Sequence, residues 1–471
     1  MNTSTNVFPK DVIEQANVAS KMRLSSYLTK RQDLRGKTVI SFADTNNSRS
    51  ECAISLYRNG NSAWQLGVHI CDVAEYVCEG SPLDIEARKR RGTVFNGREV
   101  INMLPDALIN GVFDLDSGND KLALSVLLDI DSKGNLISIK FEESVIRVAE
   151  KIIYTEIDHL GLTRDTSSVY ALREKYSPFT NILLDMYELA AIFCNRRRER
   201  GGLDCAVFSR KYGRNSDGNI NSLEFIAEPD TKAMVREILY YTAQATGRYM
   251  FEKNIPCIYI GQQTVEPKAV KYLAKLTDCQ VEENDENSAS AIADCAKGSP
   301  YYDFICETIS AALPCSTFSI SPIYNTLCGC EYLVSFVRPA SRYADLLSQR
   351  MIKTCIQAKS NISNLNLTRY KQLVSDAAIE ATNAAKYIFD VNRDYYASAT
   401  AEYLVNSEES VFEGFALHRR ENGDIDVVLR CGAKGVILGK DAEGFEFTLG
   451  TPQYFKLIGI GNDQAVLQPI D

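Results

Sequence analysis

Cys328 and Cys330 are the only close pair among fourteen cysteines. A structural zinc site needs a second pair at matching spacing, and none follows, so a zinc ribbon is not expected. His69, His159 and His418 are the only histidines, which argues against a histidine-rich metal centre. Carboxylates and cations remain. Asp44 and Glu51 are oxygen donors of the kind a hard divalent cation needs, and Arg49 stands between them. Arg88-Lys89-Arg90-Arg91 and Arg196-Arg197-Arg198, with Arg200, are compact basic runs. Such runs are usually solvated faces, and near a helix C-terminus they complement its dipole. Along a nucleic-acid channel they contact phosphates.

These residues need elements to hold them. Val39 to Phe42, Ala53 to Tyr57 and Trp64 to Ile70 read as strands, with a hairpin turn at Arg58-Asn59-Gly60-Asn61. Trp64 and His69 then have structural roles inside a strand. Ser81-Pro82 starts a helix that carries the first basic run, over Asp84 to Arg91. Leu122 to Asp131 and Leu136 to Phe141 form a further strand pair. Helical spacing recurs over Val169–Arg200, Thr231–Lys253 and, as two helices, Leu346–Tyr396, with a short helix in Phe8–Ser20. Pro267 to Asp294, with the acidic run Glu282 to Glu286, reads as a solvated loop. From Val411 onward short strands and Gly turns make a small all-β module.

Composition bounds the rest. The 471 residues fit one large domain plus an appendage, and 45% hydrophobic with 24% charged residues is globular. A net charge of −9 argues against a purely electrostatic nucleic-acid binder but allows a local basic channel. No apolar run reaches membrane-spanning length, and Met1 to Asn6 does not open a secretory signal. Scattered cysteines read as reduced, mostly buried thiols, so a cytoplasmic location is expected.

Several stretches, in order, resemble the ribonuclease II (RNB) family, and ribonuclease R in particular. They are Arg31-Gln32-Asp33-Leu34-Arg35, Gly67 to Val77, Ser81 to Asp84 with Glu86-Ala87, Arg91 to Pro105, Gly201-Gly202-Leu203, Arg236-Glu237 and Ser341 to Asp345. The resemblance implies an α+β architecture: an RNB catalytic-domain fold over residues 37–398 and an OB-type barrel over 399–471. Residues 1–36 would form a helix and linker, too short for the cold-shock barrels that precede this point in relatives. It further implies 3′-to-5′ hydrolysis of single-stranded RNA, with Mg²⁺ held by four Asp in one loop.

Aligned without gaps, those four positions are Ala43, Arg49, Glu51 and Cys52. Only Glu51 keeps a carboxylate. Arg49 opposes a divalent cation, and the soft sulfur of Cys52 does not suit Mg²⁺. Asp44 is one residue out of register and reaches the site only through a bulge. Ser341 replaces the first arginine of an Arg-Arg-Tyr sequence, with Arg338 placed to compensate beside Arg342. Arg236 stands where the family has Glu.

The expected RNA contacts are Phe95, by stacking, and Arg88, Lys89, Arg90, Arg91, Arg196, Arg197, Arg198, Arg338 and Arg342. The main expectation is an RNB-fold protein that binds single-stranded RNA without exonuclease activity and without a cofactor. One alternative is an active, Mg²⁺-dependent exoribonuclease with a metal site rebuilt from Glu51 and Asp44, joined by Asp72 or Asp345. The other is a scaffold for a protein partner.

Overall fold

A computed structural model of the chain describes residues 7–22, 24–46, 48–59, 63–95, 99–162, 167–282, 287–358, 367–448, 450–461 and 464–470, without the side chains of 95, 161, 162, 167 and 168. The elements begin with α1 (Lys10–Ala19), β1 (Gln32–Asp33), β2 (Val39–Ala43), β3 (Cys52–Asn59), β4 (Ala63–Cys71), α2 (Val73–Tyr76) and α3 (Pro82–Arg90). Next come β5 (Val94–Phe95), β6 (Val100–Ile101), β7 (Asp120–Ile130), β8 (Leu136–Ile153), α4 (Tyr154–Leu162), α5 (Ser167–Tyr176) and α6 (Thr180–Glu199). Then follow β9 (Phe208–Arg214), β10 (Ile220–Ala227), α7 (Asp230–Glu252), β11 (Tyr259–Gly261), α8 (Pro267–Thr277), α9 (Ser288–Ala296) and α10 (Tyr302–Ala311). The last are β12 (Thr317–Ser319), α11 (Tyr343–Ala358), α12 (Thr368–Asn406), β13 (Val411–Arg419), β14 (Ile425–Leu429), β15 (Lys434–Ile437), β16 (Pro452–Gly461) and β17 (Gln464–Pro469).

Contacts divide the chain into two compact units that interleave in sequence. One contains Met1–Arg200, Pro229–Gly261 and Ser316–Ile388; the other contains Gly201–Glu228, Gln262–Cys315 and Phe389–Asp471. In the first, six strands lie in the order β1-β8-β2-β3-β4-β7, and β7 also pairs with β8, so the sheet turns back on itself. The long β8 makes this possible: its first part pairs antiparallel with β7, and Val148 to Ile153 run parallel to β2. Only the stretch to Phe141 alternates cleanly enough to be read from sequence.

Strand β4 shows why these residues lie in mid-sheet. Val68 and Ile70 face one side, His69 and Cys71 the other, and all four are sealed from solvent. A polar ring inside a sheet must find partners. His69 Nε2 meets Ser55 Oγ at 2.9 Å, its Nδ1 meets Ser125 Oγ at 2.7 Å, and Ser125 continues to Ser144 at 2.6 Å. Gly67 leaves room for the ring, since a Cβ there would lie 2.9 Å from Nε2. Burial, aided by Lys37, holds the imidazole pKa down at about 3.

A second buried polar group closes the end of β4. Asp72 is fully buried and caps α2, accepting the Glu75 amide. It receives Arg31 at 2.7 Å and Lys353, from α11, at 2.8 Å. Glu75 and Glu143 complete the cluster, each within 3.1 Å of Lys353. Burial pulls the Lys353 pKa down, and Asp72 and Glu75 more than offset it, leaving it raised.

The second unit contains the all-β module. Its strands run β13-β14-β15-β17-β16 and close β16 onto β13, with β15 and β17 parallel. That order makes it a barrel of OB type. Phe412, Ile425, Leu429, Ile437, Phe455 and Leu467 fill it. The fold is therefore α+β, with a C-terminal OB-type barrel.

Several elements differ from the sequence reading. Residues 177–179, which include Pro178, break the helical stretch into α5 and α6. Helix α12 runs on to Asn406, so the barrel strands begin at Val411. The expected loop at 267–294 is largely α8 and α9, because Val270, Leu273 and Leu276 recur at helical spacing and are buried. There Cys279 and Cys295 form a disulfide, with Cα atoms 6.1 Å apart, where reduced thiols were expected. Of the β3–β4 turn, residues 60–62 lie outside the described residues. Among the described residues, no helix is long and apolar enough to cross a membrane.

Two outcomes follow. Lys353→Met leaves Asp72, Glu75 and Glu143 facing Arg31 alone, and urea unfolding should show a loss of about 3–5 kcal/mol. Between pH 6.5 and 3 the unfolded chain binds a proton at residue 69 that the folded chain refuses, so wild-type stability falls on acidification across that window. His69→Gln should show a shallower fall over the same range; parallel curves would refute the assignment.

Candidate functional site

The loop joining β2 to β3 and the strand ends beside it hold the four positions expected from sequence to match the family Asp. Ala43 ends β2, Cys52 begins β3, and Arg49 and Glu51 lie between. The loop is braced from β8 and from the segment before β7. Asp114 accepts the Ser50 amide at 2.9 Å and pairs with Lys151 at 2.9 Å, and Lys151 also reaches the Ser48 carbonyl. The Leu115 amide donates to the Ser50 carbonyl.

Glu51 points inward rather than toward an open ligand position. It accepts the Ala340 amide at 2.9 Å and the Ser341 hydroxyl. Burial raises its pKa, against the lowering by Ser341, Arg49 and Arg338. Arg49 Nε stands 3.9 Å from the same carboxylate, and Arg49 also reaches Ser341 Oγ at 3.2 Å and Asn102 at 3.4 Å. Burial pushes the Cys52 thiol up to about 12, so it is not a thiolate donor.

Asp44 lies just past the end of β2, exposed, and pairs with Lys232 of α7 at 2.6 Å. Because β2 stops at Ala43, strand register does not fix the direction of Asp44. Asp345 is fully buried and accepts the Ser335 hydroxyl and, at 2.8 Å, the Arg338 amide. Asp72 is held by Arg31 and Lys353. Glu51, Asp44, Asp72 and Asp345 thus serve four separate sets of partners. Among the described residues, the only group of three potential metal ligands is Asp72, Glu75 and Glu143, and Arg31 and Lys353 already fill it. These residues do not fit a Mg²⁺ centre, which needs several free, ionised oxygens around one point.

The expected RNA contacts divide. Arg90 stacks on Phe8 at 3.8 Å and bonds Glu86 and two carbonyls, and Arg197 forms a buried pair with Glu237 at 3.0 Å. Arg196 closes the β7–β8 turn through the Lys133 carbonyl and Asn135. These three are committed to the fold. Arg88 pairs with Glu380, while Lys89 and Arg198 are exposed. Phe95 sits in β5, and its side chain lies outside the described residues.

Arg91, Arg338 and Arg342 come together at the turn leading into α11. Tyr343 N donates to the Arg91 carbonyl and Thr93 N to the Ser341 carbonyl, both at 2.9 Å, and Gly92 bridges Arg342. The same turn clamps Glu51. Sequence reasoning missed Asp114, Lys151 and Lys232, which no local pattern marks.

The RNB domain family matches residues 31–358. The chain belongs to the RNB family. Ribonuclease R of Thermotoga maritima is 24% identical over 412 residues, covering 86% of this chain and 57% of that protein. The structure of Mycoplasma genitalium RNase R in complex with ribose methylated single-stranded RNA matches with a TM-score of 0.81 at 18% identity, covering 98% of this chain and 76% of that one. Yeast Ssd1, a pseudonuclease, matches with a TM-score of 0.61 at 18% identity, over 89% of this chain and 52% of its own. The RNB member is thus ribonuclease R-like in sequence and fold. It spans about half the length of the curated relatives it matches.

Titrating Mn²⁺ while following its free electron-spin resonance signal should reveal no tight site in the wild-type protein. Glu51→Ala should free the Ala340 amide to exchange with solvent and cost about 1–3 kcal/mol of stability, from the unsatisfied turn donors. An unchanged exchange rate at Ala340 would contradict the clamp.

Proposed function

We propose that this RNB member binds single-stranded RNA and lacks exonuclease activity. One observation carries the reading: the carboxylates at and around the β2–β3 loop are each engaged by a cation of the chain itself. Asp44 has Lys232, Asp114 has Lys151, Glu51 has Arg49 nearby, and Asp72 has Arg31 and Lys353. A divalent metal would have to displace those cations and desolvate beside Arg49. Hydrolysis of a phosphodiester in this fold requires that metal to generate the attacking hydroxide. Binding does not, because backbone recognition rests on cations and stacking.

The RNA-bound ribonuclease R relative supports the RNA-binding part of this reading, and the pseudonuclease neighbour supports the part without nuclease activity. We place the protein in the cytoplasm, with no cofactor, and assign RNA recognition to the RNB domain together with the OB-type barrel.

The test uses the full chain and a 5′-labelled single-stranded oligoribonucleotide. Fluorescence anisotropy should show binding that weakens roughly linearly in log–log form as salt rises. Incubation with Mg²⁺ or Mn²⁺ should leave the RNA full length. Stepwise shortening that disappears in Glu51→Gln would establish the active-enzyme alternative. Absence of binding even at low salt would favour a protein-contact scaffold.

A further inference from the structure

We infer that Cys205 and Cys306 form a redox dithiol, which hydrogen peroxide joins into a disulfide that fastens α10 to the segment entering β9. The inference does not rest on the RNA-binding reading. Both cysteines lie in the second unit, and neither is an expected RNA contact.

The two thiols are already hydrogen-bonded to each other. Cys205 donates to the Cys306 sulfur, and Cys205 Sγ also lies 3.7 Å from the Cys306 carbonyl. The Tyr302 hydroxyl and the Ala206 amide donate to the same Cys306 sulfur. Hydrogen bonding from Cys205, joined by these two, holds the Cys306 thiol below its ordinary pKa although burial opposes it. Cys205 moves the other way, because its bond to Cys306 and its burial keep the proton on its sulfur. One sulfur is thus the nucleophile and the other its proton donor. Cys205 is half-buried and Cys306 is sealed, so a small oxidant reaches the pair from the Cys205 side.

The surrounding contacts already hold the two segments together. Phe208 meets Tyr302 edge to face at 6.3 Å, and Arg210 pairs with Glu307 at 2.6 Å. Helix α10 in turn supports the barrel. Tyr301 and Phe304 pack on Phe415 of β13 at 5.1 and 5.5 Å, and Asp303 pairs with Arg430 at 3.4 Å. Other thiols lack this setting. Burial raises the pKa of Cys71, Cys257 and Cys355, which makes them inert. Cys328 and Cys330 bond each other too, but at 2% and 7% exposure they are closed to an oxidant. In the reaction the Cys306 thiolate and the Cys205 thiol lose two electrons, and the S–S bond forms. The O–O bond of the peroxide breaks and takes up those electrons. The Cys205 proton goes to oxygen, and water and hydroxide leave.

The test uses the full chain, reduced, freed of reductant and then exposed to hydrogen peroxide. Remaining thiols are blocked with N-ethylmaleimide, and disulfides are mapped by mass spectrometry of a non-reducing digest. The expected product is a peptide pair joined through Cys205 and Cys306, distinct from the Cys279–Cys295 link and cleaved by dithiothreitol. It should form about tenfold faster than the exposed thiol of Cys78 is oxidised. Cys205→Ser should abolish the link and leave Cys306 as a sulfenic acid that dimedone traps. Amide hydrogen exchange in α10 and β9 should slow in the linked protein and stay unchanged in peroxide-treated Cys205→Ser. No link at peroxide levels that oxidise Cys78 overturns the inference. So does a link that forms only in urea, or a linked protein whose α10 and β9 exchange as fast as before.

Discussion

Asp72 carries its charge with no exposure to water, and that cost organises the first unit. An isolated buried carboxylate is several kcal/mol too expensive to keep ionised, so cations must come to it. Arg31 brings in the segment before β1, and Lys353 brings in α11. Fixing α11 fixes its beginning at Tyr343, and so the turn that clamps Glu51. The arrangement of the centre is therefore set ten residues along a helix from where it is seen.

The parts of the fold legible in sequence were those decided locally. Strands β3 and β4 alternate, Ser81-Pro82 starts α3, and the glycine-punctuated C-terminus forms a barrel. Ionic partners were not legible. Lys151 lies 37 residues from Asp114, Lys232 lies 188 from Asp44, and Lys353 lies 281 from Asp72. Nothing within a window of sequence marks such a lysine as different from a solvated one. The same holds for Arg90 and Arg197, whose basic neighbourhoods resemble a phosphate-binding face while their own side chains are built into the interior. In α8, acidic and small residues nearby obscured a short apolar stripe.

The β2–β3 loop carries its own counter-ions, Lys232 for Asp44 and Lys151 for Asp114. A metal centre gathers negative charge that is tolerable only while the metal is present. Here the loop is close to balanced by lysines and arginines of the chain itself, so it needs no ion to keep its shape.

Strand β8 carries a consequence for how the molecule assembles. It joins β7 across a short turn, yet it meets β2 more than a hundred residues upstream, with Ala43 opposite Ile153. Loop-closure entropy makes the local hairpin early and the distant parallel pairing late. Ala43 is the residue from which the β2–β3 loop departs, so the centre takes shape only when the ring of strands is joined. A nascent chain that has not yet delivered β8 has the β2–β3 loop but lacks the strand that fixes its base.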